Sequence, residues 1–77
     1  MSQTEVLETI ARLNEELDRP VTKEEIIAAA GCTPYTAREA LIKLRHWQDV
    51  EVVTPANDRR LFRYTLSERG RSRCGRD

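Results

Sequence analysis

The side chains best suited to chemistry fall in two short stretches of the 77-residue sequence. In the first, Tyr35, Glu39, Ile42 and His46 recur at helical spacing, with Arg38 and Lys43 flanking them and Thr33 and Thr36 at the leading end. Such a row can read the edge of a base pair. A guanidinium such as that of Arg38 offers two parallel donors to guanine, the Glu39 carboxylate can accept from a cytosine amino group, and Ile42 can touch a thymine methyl. The plainer alternative is that Glu39 pairs with Lys43 one turn on, a solvated contact of a few tenths of a kcal/mol. In the second stretch Arg59 and Arg60 stand beside Asn57 and Asp58, and Arg63 comes three residues later. Paired arginines at a polar turn suit a phosphate backbone or a minor groove, although a polar turn needs no function to exist.

Little else in the sequence points to chemistry. His46 is the single histidine, and no serine, cysteine or carboxylate is placed by a motif to work with it. There is no glycine-rich phosphate loop, no HExxH and no paired Cys-x-x-Cys, so the expectation is a protein that is not an enzyme and holds no cofactor. Cys32, His46 and Cys74 lack the paired spacing of a zinc site, and both cysteines read as reduced thiols. No apolar run approaches the roughly 18 residues of a membrane span and no signal-peptide pattern opens the chain, which predicts a cytoplasmic protein without membrane contact. The 13 basic and 13 acidic residues cancel, yet they are unevenly placed. The first 31 residues hold three basic side chains (Arg12, Arg19, Lys23) against seven acidic ones, so the remainder carries the compensating positive excess.

These residues need elements to position them, and a chain this short has room for one small domain, since domains run to about 50 to 200 residues. Val6, Ile10, Leu13 and Leu17 step by four, three and four along the buried stripe of a first helix, with Pro20 beyond its end. Thr22-Lys23-Glu24-Glu25 forms a capping box, with Val21 and Ile26 placed as a hydrophobic staple, so a second helix starts at Lys23. Gly31 suits the left-handed position that ends it. Thr33-Pro34 then supplies a cap and a proline at the first helical position, opening a third helix over residues 34–48 with Ala37, Ala40, Leu41 and Leu44 buried. Trp47 lies at the margin of that stripe. Residues 50–53 and 61–66 are rich in β-branched and aromatic side chains, and the separator with Pro55 and Asn57-Asp58 marks a hairpin. In the second strand Phe62, Tyr64 and Leu66 share the packed face and Arg63 and Thr65 the solvent face. The common core is predicted to hold Ile10, Leu13, Ile26, Ala37, Leu41, Leu44, Val52, Phe62 and Tyr64, with Cys32 packed beside them. From Ser67 onward the arginines and glycines predict a frayed basic tail in which Cys74 reacts freely and the arginines at most attract phosphate.

Three helices and then a hairpin, the second and third helices joined by a tight turn, resemble a winged helix-turn-helix domain across residues 5–67. The stretch VTKEEIIAAAGCTPYTAREALIKL is similar to the positioning and recognition helices of many bacterial regulators, through its capped start, Ile26, Gly31, Cys32, Thr33, Ala37, Leu41 and Leu44. FRYTLSERG resembles the second wing strand and the segment directly after it in regulators of the multiple-antibiotic-resistance type. The spacing of Tyr35, Ala37 and Arg38 is similar to that in compact regulators of enteric pilus operons. Two departures stand out. Ile27 occupies a site where the superfamily commonly has alanine, and Gln48-Asp49 replace a glycine and an apolar residue, which shifts the expected end of the third helix by a residue or two.

The resemblance implies an α+β fold, a three-helix winged helix-turn-helix with a C-terminal β-hairpin wing, over residues 1–67, with residues 68–77 as the tail. It also implies a sequence-specific transcriptional regulator that binds double-stranded DNA. Helix 34–48 would lie in the major groove and wing 54–60 on the minor groove or backbone. Thr33, Tyr35, Thr36, Arg38, Glu39, Ile42, Lys43, Arg59, Arg60 and Arg63 would make the contacts. Only the first helix is spare for pairing, so the expected state is a monomer or weak homodimer, acting beside a larger DNA-bound protein. Winged helices also serve as protein-binding adaptors, and exposed Tyr35, Ile42 and Trp47 would suit that alternative.

Overall fold

A computed structural model describes residues 3–54 and 62–75. The elements run α1 (Gln3–Leu17), β1 (Val21–Thr22), α2 (Lys23–Ala30), α3 (Pro34–His46), β2 (Val50–Val53), β3 (Arg63–Leu66) and α4 (Glu68–Arg73). The three strands form an antiparallel sheet in the order β1-β3-β2, with Tyr64 of the central strand opposite Val21 on one side and Val52 on the other.

The capping signals act as their chemistry requires. The Glu25 amide donates to Thr22 Oγ1 at 3.2 Å and the Thr22 amide donates to Glu25 Oε1 at 3.0 Å, satisfying two amides that the start of α2 leaves open. Gly31 takes φ 70° and its amide donates to the Ile27 carbonyl at 2.9 Å, closing the helix. Thr33 caps α3 through the Thr36 amide at 3.2 Å, and Pro34 occupies the first turn, where a missing N–H costs nothing.

The core is built by Val6, Leu7, Ile10 and Ala11 of α1, Val21, Ile26 of α2, Ala40, Leu41 and Leu44 of α3, and Val50, Tyr64 and Leu66 of the sheet. Ala37 is also buried, and Leu13, Val52 and Cys74 pack against the cluster partly covered.

Several expectations need correction. Phe62 is 51% exposed, because the described pairing of β3 begins one residue later, at Arg63, and leaves the ring beyond the core. Cys32 is half-buried in the α2–α3 turn and does not join the core cluster. The third helix ends at His46, two residues early, where the chain turns through Gln48 at φ 61°. Val21–Thr22, read only as staple and cap, also form a strand. The frayed tail is replaced over residues 68–73 by α4, capped by Ser67, whose Oγ accepts from the Gly70 amide at 3.0 Å. Cys74 is accordingly not free but half-buried against the core.

Candidate nucleic-acid interface

The outward side of α3 is set by its inward side. With Ala37, Ala40, Leu41 and Leu44 buried, the 3.6-residue repeat turns Tyr35, Arg38, Ile42 and Lys43 to solvent, and all four are exposed. Tyr35 is 70% and Ile42 50% exposed, high values for large apolar side chains in a small domain. Thr36 and Glu39 are half-buried, and no ion pair joins Glu39 to Lys43 among the described residues. The plain reading of Glu39 as half of a surface salt bridge therefore finds no support.

The leading end of α3 is partly committed to its own cap. Thr33 Oγ1 accepts from the Thr36 amide and donates its proton to Thr36 Oγ1 at 2.9 Å. Thr33 thus has no hydroxyl proton left, whereas Thr36 keeps its own to donate. Pro34 has no N–H and the Ala37 amide donates to the Thr33 carbonyl at 3.0 Å, so Tyr35 carries the amide of the first turn that the cap does not use.

Arg45 is a residue that the reading from sequence misses. It is exposed, and it stands seven residues after Arg38, two turns along the same side of α3. That spacing is the signal that could have found it. Its charge reaches the core: burial pushes the Tyr64 phenol above its ordinary value, and Arg45 offsets part of that rise while Glu24 of α2 adds to it.

Arg63 lies on β3, opposite Thr22 and Val53, and is half-buried instead of fully solvent-facing. Its Nε is buried without a hydrogen-bond partner among the described residues, an unmet donor at the end of β3 nearest the β2–β3 connection. Arg59 and Arg60, the remaining candidates, lie outside the described residues, as does most of wing 54–60. The structure therefore gathers Tyr35, Thr36, Arg38, Glu39, Ile42 and Lys43 on α3, with Thr33 at its cap, and sets Arg63 on the sheet. No group of three or more potential metal ligands occurs among the described residues, and none of the described helices is long and apolar enough to cross a membrane.

At the start of α2, Arg19 makes a two-pronged pair with Glu25, at 3.0 Å and 2.7 Å. The Arg19 guanidinium, with help from the Thr22 amide, draws the Glu25 carboxyl down to about 2.

Two helices joined by a short turn, packed with a third against a three-stranded antiparallel sheet whose last two strands are consecutive in sequence, define a winged helix-turn-helix fold. Comparison with solved structures agrees. A MarR family transcription regulator is 23% identical with a TM-score of 0.76, over 91% of this chain and 43% of that one. A mutant of MepR from S. aureus, bound to an oligodeoxyribonucleotide, is 22% identical with a TM-score of 0.75, over 88% and 49%. A mutant of ZitR from Lactococcus lactis is 20% identical with a TM-score of 0.75, over 92% and 47%. The chain spans about half the length of these proteins, and at such identity the likeness is one of fold. No family profile matches the sequence, and no curated protein does.

Proposed function

We propose that this chain is a sequence-specific double-stranded DNA-binding module of a transcriptional regulator. The observation that carries this reading is the outward face of α3, where Arg38, Arg45 and Lys43 flank exposed Tyr35 and Ile42 on a helix whose other side is fully packed. A helix so mounted can enter a major groove with its first two turns against base edges. Arg63 supports it from the sheet, and Arg59 and Arg60, on sequence alone, add contacts to a minor groove or to phosphates. That a MepR structure of the same fold holds an oligodeoxyribonucleotide supports the choice of partner. In this reading the chain is a monomer or weak homodimer that works beside a larger DNA-bound protein.

The test is fluorescence anisotropy of a labelled duplex at about 50 and about 200 mM salt, where each phosphate contact adds roughly 0.9 to the logarithmic salt slope. Binding that falls steeply with salt is expected, and no binding at low salt would sink the proposal. Arg38→Ala should then narrow the preference for a selected duplex over a scrambled one by about 1 to 3 kcal/mol, whereas changing Arg59 and Arg60 together to Ala should weaken both duplexes and flatten the slope.

A second reading is a protein-binding adaptor, favoured by the exposure of Tyr35, Ile42 and Trp47 on or next to one helix. Parent-like DNA binding by all of these variants would make it the better account.

A further inference from the structure

Two residues between α3 and β2 receive most of what holds α4. Asp49 is fully buried, and its amide donates to the Leu44 carbonyl at 2.9 Å, closing the end of α3 while Gln48 takes its left-handed turn. The Asp49 carbonyl accepts from the Ser67 amide at 3.0 Å, and Ser67 Oγ donates to the Gln48 carbonyl at 2.6 Å. Gly70 lies directly on the same junction, so close that a Cβ there would collide with the Asp49 carbonyl oxygen. The side chain completes the arrangement. Arg73 Nη1 donates to Asp49 Oδ2 at 2.5 Å, and Arg69 Nε lies 3.8 Å from Asp49 Oδ1, which has no hydrogen-bond partner of its own among the described residues. Arg71, on the other side of α4, lines an open cleft with Glu15 of α1 and Asp18 just beyond its end.

A carboxyl group stripped of water is costly unless its oxygens are paired, so the burial of Asp49 requires α4 to stay where its arginines can reach. The same residue fixes the exit of α3 and the entry of β2. It therefore sits at the joint that sets the angle between the recognition helix and the β2–β3 pair, the two parts that must meet one duplex together.

We propose that Asp49 is a positioning residue that makes α4 part of the DNA-reading unit: with Arg73 and Arg69 docked on it, the C-terminal helix holds α3 and the β2–β3 pair at their mutual angle. This rests on the DNA-binding reading above. Arg69 and Arg73 then serve the inside of the protein and not the phosphate backbone, although sequence alone offers them as phosphate contacts.

The test uses the full chain with Cys32→Ser, so that Cys74, at the end of α4, is the sole thiol. Reaction with dithiobis(nitrobenzoate) reports docking of α4, and anisotropy with a duplex selected by the parent protein from a randomised library reports binding. Arg73→Gln is expected to speed Cys74 labelling about tenfold or more through local opening. The same change should weaken the selected duplex several-fold while leaving the salt slope within about 0.3 of the parent, against the roughly 0.9 lost with a phosphate contact. Arg73→Lys, which keeps the charge, should recover most of both, and Asp49→Asn should resemble Arg73→Gln. The proposal is overturned if Arg73→Gln cuts the slope by about 0.9 with Cys74 still protected, which is the signature of a phosphate contact. It is equally overturned if labelling rises while DNA affinity stays at the parent value, or if Asp49→Asn raises affinity and slope together. Should the parent itself bind no duplex at low salt, the DNA-binding reading fails and the positioning role falls with it, an outcome separate from parent binding that the variants leave unchanged.

Discussion

α2 and α4 begin in the same way and are held in opposite ways. Each is short, and each opens on a hydroxyl that accepts from an amide three residues on, Thr22 for α2 and Ser67 for α4. The supports of α2's start are close in sequence: Glu25 returns the bond to Thr22, and Arg19 pairs with Glu25 from six residues away. Those of α4 are remote. Its partners are Gln48 and Asp49, some twenty residues earlier, and without them the segment has a glycine in its middle and no apolar stripe. Neither helix is long enough to persist alone, but the start of α2 is set by residues beside it in sequence, whereas α4 finds its anchor only when the rest of the domain is present.

Changes at the remote junction should therefore cost more than changes at the local cap. Asp49→Asn leaves a buried amide facing two arginines. It should cost about 3 kcal/mol in urea unfolding, the low end for a broken buried pair because both arginines are half exposed. An Asp49→Asn protein as stable as the parent would make α4 as self-sufficient as α2 and erase the contrast. Gly70→Ala drives a methyl into the Asp49 carbonyl and should lower stability by about 2 kcal/mol, with a lower melting temperature and faster Cys74 labelling, since only backbone movement can relieve the clash. At the local end Thr22→Ala should cost about 1 kcal/mol, the ordinary worth of a helix cap, without changing Cys74 labelling.

The smallest effect is that of acid. Glu25 has its carboxyl drawn down to about 2 in the folded protein, against an ordinary value of 4.5. Its contribution is fully present above the unfolded value and is lost as pH falls from about 4.5 towards about 2. The stability difference between parent and Glu25→Gln should shrink over that interval and stay flat above it. A difference constant down to pH 2 would mean that the Arg19 pair contributes nothing measurable.

The same division explains what is legible in the sequence. Caps at Thr22 and Thr33, the stop at Gly31 and the buried stripe of α3 are all decided within a turn or two, and the outward face carrying Tyr35, Arg38 and Ile42 comes from that stripe by geometry. Arg45 is equally legible, seven residues from Arg38, although a reading centred on the leading half of the helix misses it. β1 is not legible, because two residues become a strand only when β3 arrives beside them. Nor is Phe62, which alternates correctly with Tyr64 yet falls beyond the described strand pairing. The burial of Asp49 is hidden for a stronger reason: a carboxylate predicts solvent unless its counter-ions are known, and these come from a segment with no helical pattern of its own. Of the candidate site, the α3 face is available from periodicity, while the buried Nε of Arg63 depends on strand packing that no local pattern encodes.

The central position of β3 has a consequence for the order of events in folding. Val21 meets Tyr64 across a loop of roughly forty residues, while α2 and α3 meet across a single turn, and closing the longer loop forfeits more chain entropy before any contact repays it. The helical pair should gain protection from hydrogen exchange first in a refolding experiment, with the amides of β1 and β3 gaining theirs together and later. The strand that completes the sheet would then be the rate-limiting addition, and α4, which is anchored where β2 begins and β3 ends, the last piece to settle.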